Sequence, residues 1–253
     1  VLKELGRLRE VSFRKVGEGV NKKRDTDKYD IYYQHIILWD ENELEIVGSY
    51  RIGNSDFIFK NIGVKGFYSN VLFSYKEEFT PYLQNSIELG RSFVQPKYWG
   101  TRALDYLWFG IGAYLKNNPN IKYMFGPVSI SATFPPVAKD MLIFYYSHYY
   151  GSKEELIEAK TPYIYSNNLN DIKELFDLND KRKDFKFLTS ALANIGVSIP
   201  TLYKQYSEIA EESGVKFLDF NIDHSFGDCI DGFILVEVEK IKESARQRYI
   251  EKE

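Results

Sequence analysis

Apolar residues recur with helical spacing at the start of the chain and are grouped as in strands just after it. Five apolar residues between positions 2 and 13 follow near-helical spacing, so the first fifteen residues are predicted to form an amphipathic helix. Gly17 and Gly19 should end this helix. Residues 33–39 and 45–52 then predict two strands, and the polar stretch 40–43 between them predicts a hairpin turn.

Strands and helices alternate in the middle of the chain. A short strand is expected at 70–73. The next predicted elements are a strand over 86–94, a helix over about 102–115, a strand over 123–130 and a helix over 135–150. Pro96 ends the first of these strands, and paired prolines open the second helix, as they often do at helix starts. This order of elements is typical of an α/β domain.

The last hundred residues give a weak pattern followed by a clear one. Residues 152–198 are more polar and are predicted to form helices and loops that cap the sheet. The elements predicted after them are a helix over 200–213, a strand over 215–222, a turn at 225–228, a strand over 232–238 and a closing helix. No internal repeat or low-complexity linker interrupts the sequence, so a single domain over 1–253 is expected. Because the chain opens at Val1 directly on a helix, an origin within a longer polypeptide stays open.

Composition narrows the class of protein. The chain has 253 residues, of which 44% are hydrophobic and 27% charged, so it can bury the core of one large domain. Its formal net charge of −3 removes the non-specific attraction that a basic protein has for nucleic acid, so we set nucleic-acid binding aside. The single cysteine, Cys229, cannot form an internal disulfide, which suits a reducing compartment such as the bacterial cytoplasm.

Two further features concern membranes and ligands. The longest apolar runs, 106–115 and 141–146, are about half of the roughly 20 residues needed to span a bilayer, so no transmembrane helix is predicted. The chain has 20 tyrosines and 18 phenylalanines, more than a core strictly requires, which favours a ligand cavity or a membrane-facing surface. A cytoplasmic location is expected, and peripheral contact with the inner membrane stays open.

Residues 87–98 (IELGRSFVQPKY) resemble the central strand–turn–helix segment of the GNAT acyltransferase superfamily. The narrower resemblance is to its acyl-carrier-protein-dependent branch, which includes acyl-homoserine-lactone synthases, ornithine and glycine lipid N-acyltransferases, and proteins that carry the label hemolysin. The matches that support it are Arg9, Phe13, DKYD at 27–30, IVGSYR at 46–51, Glu88, Arg91, FGPVSI at 125–130, DHSF at 223–226 and DGFILV at 231–236. The resemblance implies a GNAT fold, with a mixed twisted central sheet whose parallel strands splay apart and which is flanked by helices.

The sequence departs from the pattern of this branch at two points. The tryptophan that autoinducer synthases carry after the first helix has no counterpart in 17–26, so homoserine-lactone synthesis is not expected. The glycine-rich phosphate loop of acetyl-CoA enzymes is reduced to WGTR at 99–102, which disfavours a standard CoA site. No pore-forming segment supports lysis as the activity behind the hemolysin label.

The chemistry of N-acylation requires a base, because most amines are protonated at neutral pH. The resemblance implies Glu88 as this base, with Arg91 as a second catalytic residue. On a regular strand, Glu88 and Gly90 face one side and Arg91 the other, unless a bulge changes the phase. The alternative is that Glu88 only pairs with an arginine such as Arg51.

Acids and arginines of the matched set are expected near the acceptor amine. The resemblance implies that Asp27, Asp30 and Arg51 line the amine pocket with Arg91. Arg9 and Phe13 are expected to close the pocket from above. Structural ion pairs and helix packing are the alternative interpretation, since a buried network of this kind is costly unless every member is paired.

Donor binding is expected at the turn over 96–102 and at the end of strand 123–130. A helix start can receive a phosphate, which suits the single phosphate of an acyl-phosphopantetheine arm on an acyl carrier protein better than the three phosphates of acyl-CoA. The predicted donor residues are Val94, Lys97, Gly100, Thr101, Arg102, Ser129 and Ser131. The alternative is an ordinary basic helix start.

Aromatic residues predict an acyl tunnel between strands 86–94 and 123–130. Its predicted lining is Trp108, Phe125, Phe134 and Phe144, although an aromatic stripe at helical spacing is more often core. The three histidines, His35, His148 and His224, are too scattered for a metal site, so no metal is expected. His224 is a reserve candidate for proton transfer.

The combined hypothesis is an N-acyltransferase. It would move a long acyl chain from an acyl-carrier-protein thioester, or from acyl-CoA, to the amine of a small acceptor such as glycine or ornithine, giving an N-acyl amino acid or lyso-lipid. The alternatives are an acetyl-CoA-dependent small-molecule acetyltransferase and a catalytically silent module that binds lipid or a carrier protein.

Overall fold

The computed structural model describes residues 1–251, which form two sheets and eight α-helices. The strands are β1 (Gln34–Asp40), β2 (Glu45–Asn54), β3 (Phe73–Tyr75), β4 (Ser86–Val94), β5 (Tyr123–Ile130), β6 (Ile157–Ala159), β7 (Val215–Asp223) and β8 (Cys229–Glu237). The helices are α1 (Leu2–Lys15), α2 (Ser55–Asn61), α3 (Ala103–Asn117), α4 (Pro136–Tyr150), α5 (Leu169–Glu174), α6 (Lys181–Asn194), α7 (Thr201–Ile209) and α8 (Glu243–Tyr249). Among these residues no helix is both long enough and apolar enough to cross a bilayer.

The main sheet is mixed, as predicted. Its strand order is β1-β2-β4-β5-β8-β7, and only the central β4–β5 pair is parallel. Both faces are covered, because successive residues of β5 enter different cores: Met124 packs with the α3 and α4 side chains, and Phe125 packs with Phe79 and Phe233 on the other face. The prediction of an α/β fold with a helix-flanked mixed sheet is confirmed.

Most element predictions agree with the structure, and the exceptions have local causes. The strand predicted at 70–73 is wrong, because residues 69–71 form a 3₁₀ turn and the strand begins at Phe73 to pair with β6. The helix predicted to run to 213 ends at Ile209, where Ala210 forms a bridge with Ile241. The last strand begins at Cys229 instead of 232, since it pairs with Asp223 from that point.

The two parallel strands separate after a short ladder. They pair at only three positions, the last of which joins Glu88 of β4 to Phe125 of β5. At the next residue, Gly126 has a φ of 153°, and a Cβ there would lie 2.1 Å from the Leu89 carbonyl oxygen, so only glycine fits this approach. β5 continues its pairing with β8 to Ile130, and the space that opens between β4 and β5 is the splay that the resemblance implies.

A bulge in β4 changes which side chains share a face. From the Ser49–Phe93 pair to the Arg51–Gly90 pair, β2 advances by two residues while β4 spans three, so β4 has one extra residue here. Arg91 lies in this step with a φ of 47°. The alternation of a regular strand, which would put Glu88 and Arg91 on opposite faces unless a bulge intervenes, therefore does not apply here.

Candidate active site

A cavity of about 430 Å³ lies in the space between the separated strands, within the size range of small-molecule sites. We call it the inner cavity. The two separated strands contribute Leu89, Gly90, Arg91 and Ser92 of β4 and Pro127, Val128 and Ser129 of β5 to its lining. An outer cavity of about 540 Å³ reaches the start of α3 and shares six lining residues with the inner one. The two therefore form one groove from the surface at α3 to the splay.

Arg91 forms the cationic side of the inner cavity. Its guanidinium lies between two rings, 4.4 Å from the centroid of Tyr68 and 4.7 Å from that of Phe226. Arg91 Nη1 donates to the Tyr68 hydroxyl at 2.8 Å, and Nε lies 3.0 Å from Asp25 Oδ2. A guanidinium has five N–H donors, so this placement holds Arg91 firmly and leaves donors for a ligand.

Asp231 faces the same cavity from β8. Its carboxylate Oδ1 accepts a hydrogen bond from Ser129 Oγ at 2.6 Å, and the residue is only 3% exposed. Burial raises the pKa of Asp231 to about 7; the Ser129 hydrogen bond and Arg91 oppose this rise, and Asp223 adds to it. The Asp231 carboxyl can therefore change protonation state near neutral pH.

Glu18 is a second acid of this cavity, in the loop after α1. The glycines on either side of it, Gly17 and Gly19, have φ values of 78° and 114°, which fit the sharp turn that carries Glu18 over the groove. Burial raises the pKa of Glu18 to about 8, and the charge of Asp231 adds to the rise. Glu18 lines both the inner and the outer cavity.

Glu88 lies behind the cavity and is not among its lining residues. It is 1% exposed and accepts four hydrogen bonds, two from the hydroxyls of Tyr33 and Ser69 and two from the backbone N–H groups of Tyr68 (3.0 Å) and Ser69 (2.7 Å). Burial raises the pKa of Glu88, and the four donors oppose the rise because they fit an ionised carboxylate. Within residues 1–251, Glu88 forms no ion pair with Arg51. Its catalytic role stays a prediction.

The predicted acceptor residues form a buried ion network outside the cavity lining. Arg9 Nη1 lies 2.7 Å from Asp30 Oδ1, and Arg51 Nη1 lies 2.7 Å from Asp27 Oδ1 and 3.1 Å from Asp30 Oδ1. Asp27 and Asp30 also form the capping box of the 3₁₀ helix Lys28–Ile31, Asp27 as its N-cap and Asp30 from within it. Only Phe13 of this group reaches both cavities, where its ring packs against Phe226 with centroids 5.0 Å apart. The arrangement favours structural ion pairs over direct acceptor contact for the four charged residues.

The predicted donor residues divide into three groups. Val94, Gly100 and Thr101 line the outer cavity. Ser129 and Ser131 line the inner cavity. Lys97 and Arg102 lie exposed beside the groove, where Lys97 pairs with Glu45 and Arg102 pairs with Asp105 at 3.0 Å. Exposed pairs of this kind are weak, so both cations can exchange these partners for an incoming anion.

The predicted acyl-tunnel lining needs correction at three of its four positions. Phe134 lines the inner cavity. Trp108, Phe125 and Phe144 are buried in the cores, where they pack against Tyr206, against Phe233 and against Phe176, respectively. The apolar wall of the inner cavity is instead Tyr50, Leu89, Val128, Ile199, Leu202 and Tyr206.

Sequence reasoning assigned no role to Asp231, Glu18 and Tyr68. Two features of the sequence could have indicated site residues: Asp231 lies within the matched segment 231–236, and Glu18 lies between two glycines. The reserve candidate His224 lies exposed at the β7–β8 turn, with Nδ1 2.6 Å from Asp228 Oδ1. Across residues 1–251 no group of three or more histidine, cysteine, aspartate or glutamate side chains is arranged to hold a metal ion.

Comparison with known proteins decides the family. Residues 8–109 match the acetyltransferase (GNAT) domain. The chain is 33% identical to a glycine N(alpha)-acyltransferase of Phocaeicola vulgatus over 263 aligned positions, which cover 99% of this chain and 80% of that protein. The protein belongs to the GNAT N-acyltransferase family. The predictions of the superfamily and of an acyltransferase enzyme are confirmed.

More distant similarities extend to another acceptor class and to a solved structure. The chain is 27% identical to an L-ornithine N(alpha)-acyltransferase of Brucella abortus, with 90% of this chain and 74% of that protein covered. A GNAT-like decarboxylase in complex with isobutyryl-CoA matches with a TM-score of 0.38 and 11% identity, over 80% of this chain and 77% of that one.

Proposed function

We propose that this GNAT N-acyltransferase transfers a long acyl chain from a phosphopantetheine thioester to the α-amine of glycine. The observation that carries the proposal is the continuous groove, which begins at α3 and ends at a polar wall formed by Arg91, Asp231 and Glu18. Glycine has one carboxylate and one ammonium group, and this wall offers a cation for the first and acids for the second. Glycine is favoured over ornithine by the relative that matches nearly the whole chain.

The donor would enter through the outer cavity. Its phosphate would lie at the start of α3 beside Gly100, whose φ of 76° turns the chain there. The pantetheine arm would then follow the groove to the splay, where β4 and β5 have backbone groups outside their mutual ladder. The proposal of an acyl carrier protein as the physiological donor rests on the sequence at 99–102, where the glycine-rich phosphate loop is reduced to WGTR.

The acyl chain would lie against the apolar wall of the inner cavity. Each buried methylene contributes roughly 0.8 kcal/mol, so a chain of ten or more carbons should bind better than acetyl by several kcal/mol after ordering costs. The product would be an N-acyl amino acid, whose amphipathic character suits release at a membrane surface.

The deciding experiment is intact-mass analysis of products. Glycine, ornithine and other amino acids are offered with acyl thioesters of two to sixteen carbons, on acyl carrier protein and on CoA. We expect N-acylglycine, with a rate that rises steeply with chain length and then stops rising where the cavity closes. A rate that does not change with acyl chain length would instead favour an acetyl-CoA-dependent acetyltransferase.

Charge reversal beside the groove tests the carrier protein. The double variant Lys97→Glu with Arg102→Glu should raise the KM for the acyl-carrier-protein donor at least about tenfold at low salt, because the two glutamates would repel an acidic carrier. The effect should shrink as salt is added, since salt screens this repulsion. The matched control is Arg182→Glu with Lys186→Glu on α6, which makes the same charge change on another exposed surface. An unchanged donor KM at low salt would mean that the carrier docks elsewhere.

A further inference from the structure

Asp231 is fixed more firmly than any other acid of the inner cavity. It lies on β8, which pairs on both sides at this residue, with Ser129 of β5 and with Asn221 of β7. Glu18, by contrast, stands in a loop. Groups on paired strands hold their position better than groups on loops, and proton transfer requires a fixed distance.

We propose that Asp231 is the catalytic base that takes a proton from the acceptor ammonium, a role that rests on the function proposed above. Three features carry this assignment: the Asp231 carboxylate faces the cavity at the splay, Ser129 fixes its Oδ1 at 2.6 Å, and Arg91 stands in the same wall to hold the acceptor carboxylate. Glu88, in comparison, has its oxygens occupied by four donors and does not line the cavity.

The step balances in protons and electrons. One ammonium proton passes to an Asp231 carboxylate oxygen, which leaves a neutral amine with a lone pair. That lone pair forms the C–N bond at the thioester carbonyl, and the C–S bond breaks with its electron pair on sulfur. A second proton from the attacking nitrogen ends on the thiolate, so the products are an amide and a free thiol. Protonated Asp231 then returns its proton to solvent along the groove, which Glu18 lines at both levels.

The titration of Asp231 depends on neighbours from every element around it. These are Arg91 of β4, Ser129 of β5, Asp223 of β7, Cys229 of β8, Tyr203 of α7, Tyr68 of the segment before β3, and the loop residue Glu18. Arg91 and Ser129 favour the ionised form, and Asp223 disfavours it. Since a base must be ionised to act, kcat/KM for glycine should rise with pH, with a midpoint near the Asp231 pKa of about 7, and then level off.

Asp231→Asn tests the base directly. Its amide can still bond Ser129, because a hydroxyl can rotate to donate or accept, so the fold should be retained. We expect kcat/KM for glycine at pH 7 to fall about 10²- to 10⁴-fold, with a rate that now keeps climbing with pH as the acceptor amine loses its own proton. An Asp231→Asn variant that keeps the wild-type rate and profile overturns the assignment while the proposed function stands.

Two further variants, Ser129→Ala and Glu18→Gln, show which carboxyl group causes the pH dependence of kcat/KM. Ser129→Ala removes a hydrogen bond to the ionised Asp231 carboxylate, so the midpoint of the pH profile should move to higher pH. Glu18→Gln should keep a rising limb with its midpoint at or slightly below that of wild type. The role of Asp231 is overturned if the rising limb of the pH profile disappears in Glu18→Gln. It is also overturned if the midpoint of that limb does not move in Ser129→Ala. If wild-type protein acylates no amino acid from any donor, the proposed function is wrong, and the assignment of Asp231 as the base is wrong as well.

Discussion

Arg91→Lys should lower kcat/KM for glycine by about 10²- to 10³-fold, equivalent to roughly 2.7–4 kcal/mol of transition-state stabilisation. Lysine keeps the positive charge that faces Asp25, so the buried acid keeps a partner. It loses the planar fork that can bind a carboxylate through two parallel hydrogen bonds and that stacks between Tyr68 and Phe226. The loss should therefore fall on acceptors that carry an α-carboxylate.

Glycinamide separates this effect from general damage to the site. We expect wild-type protein to prefer glycine strongly over glycinamide, and Arg91→Lys to reduce that preference because glycinamide has no carboxylate to lose. The matched control is Arg51→Lys, which changes a fully buried arginine outside the cavity lining. It should lower the free energy of unfolding and leave the glycine-to-glycinamide ratio unchanged. The same ratio in folded Arg91→Lys and wild type would show that Arg91 does not bind the acceptor carboxylate.

The sequence predicted the order of the sheet and helices well because each element carries its own periodic pattern. It did not show the bulge in β4, without which the alternation of residues would place Glu88 and Arg91 on opposite faces. The bulge there has a non-glycine residue at positive φ, so no residue type marks it in advance. Both side chains instead contact Tyr68, which joins the Glu88 hydrogen bonds to the cavity wall.

Site residues that meet only in the folded chain were beyond sequence patterns. Ser129 and Asp231 are 102 positions apart and make one hydrogen bond. Trp108 and Phe144 show the opposite failure, since an aromatic residue at helical spacing has the same pattern whether it faces a cavity or a core. The family resemblance placed Glu88 and Arg91 in one site, and only tertiary packing distinguishes the group that faces the groove from the one behind it.

Glu88→Gln should lower acyl transfer at least about 10²-fold, through the position of Tyr68 and Arg91. Each Glu88 oxygen accepts from a backbone N–H, one from Tyr68 and the other from Ser69, and these donors cannot rotate. A glutamine amide in either orientation would therefore turn its NH₂ group toward one of them. The mismatch should lower the free energy of unfolding by about 1–3 kcal/mol, measured by urea denaturation, and displace the Tyr68 ring that stacks on Arg91.

The pH profile of Glu88→Gln decides between this positioning role and a role as the base. If Asp231 is the base, the variant keeps a rising limb with a midpoint near pH 7 at a lower plateau. If Glu88 is the base, the limb disappears. Tyr33→Phe is the matched control, because it removes one hydroxyl donor from Glu88 and leaves both backbone donors satisfied. Its loss of rate should be much smaller than that of Glu88→Gln, since a carboxylate with three remaining donors still holds Tyr68 in place.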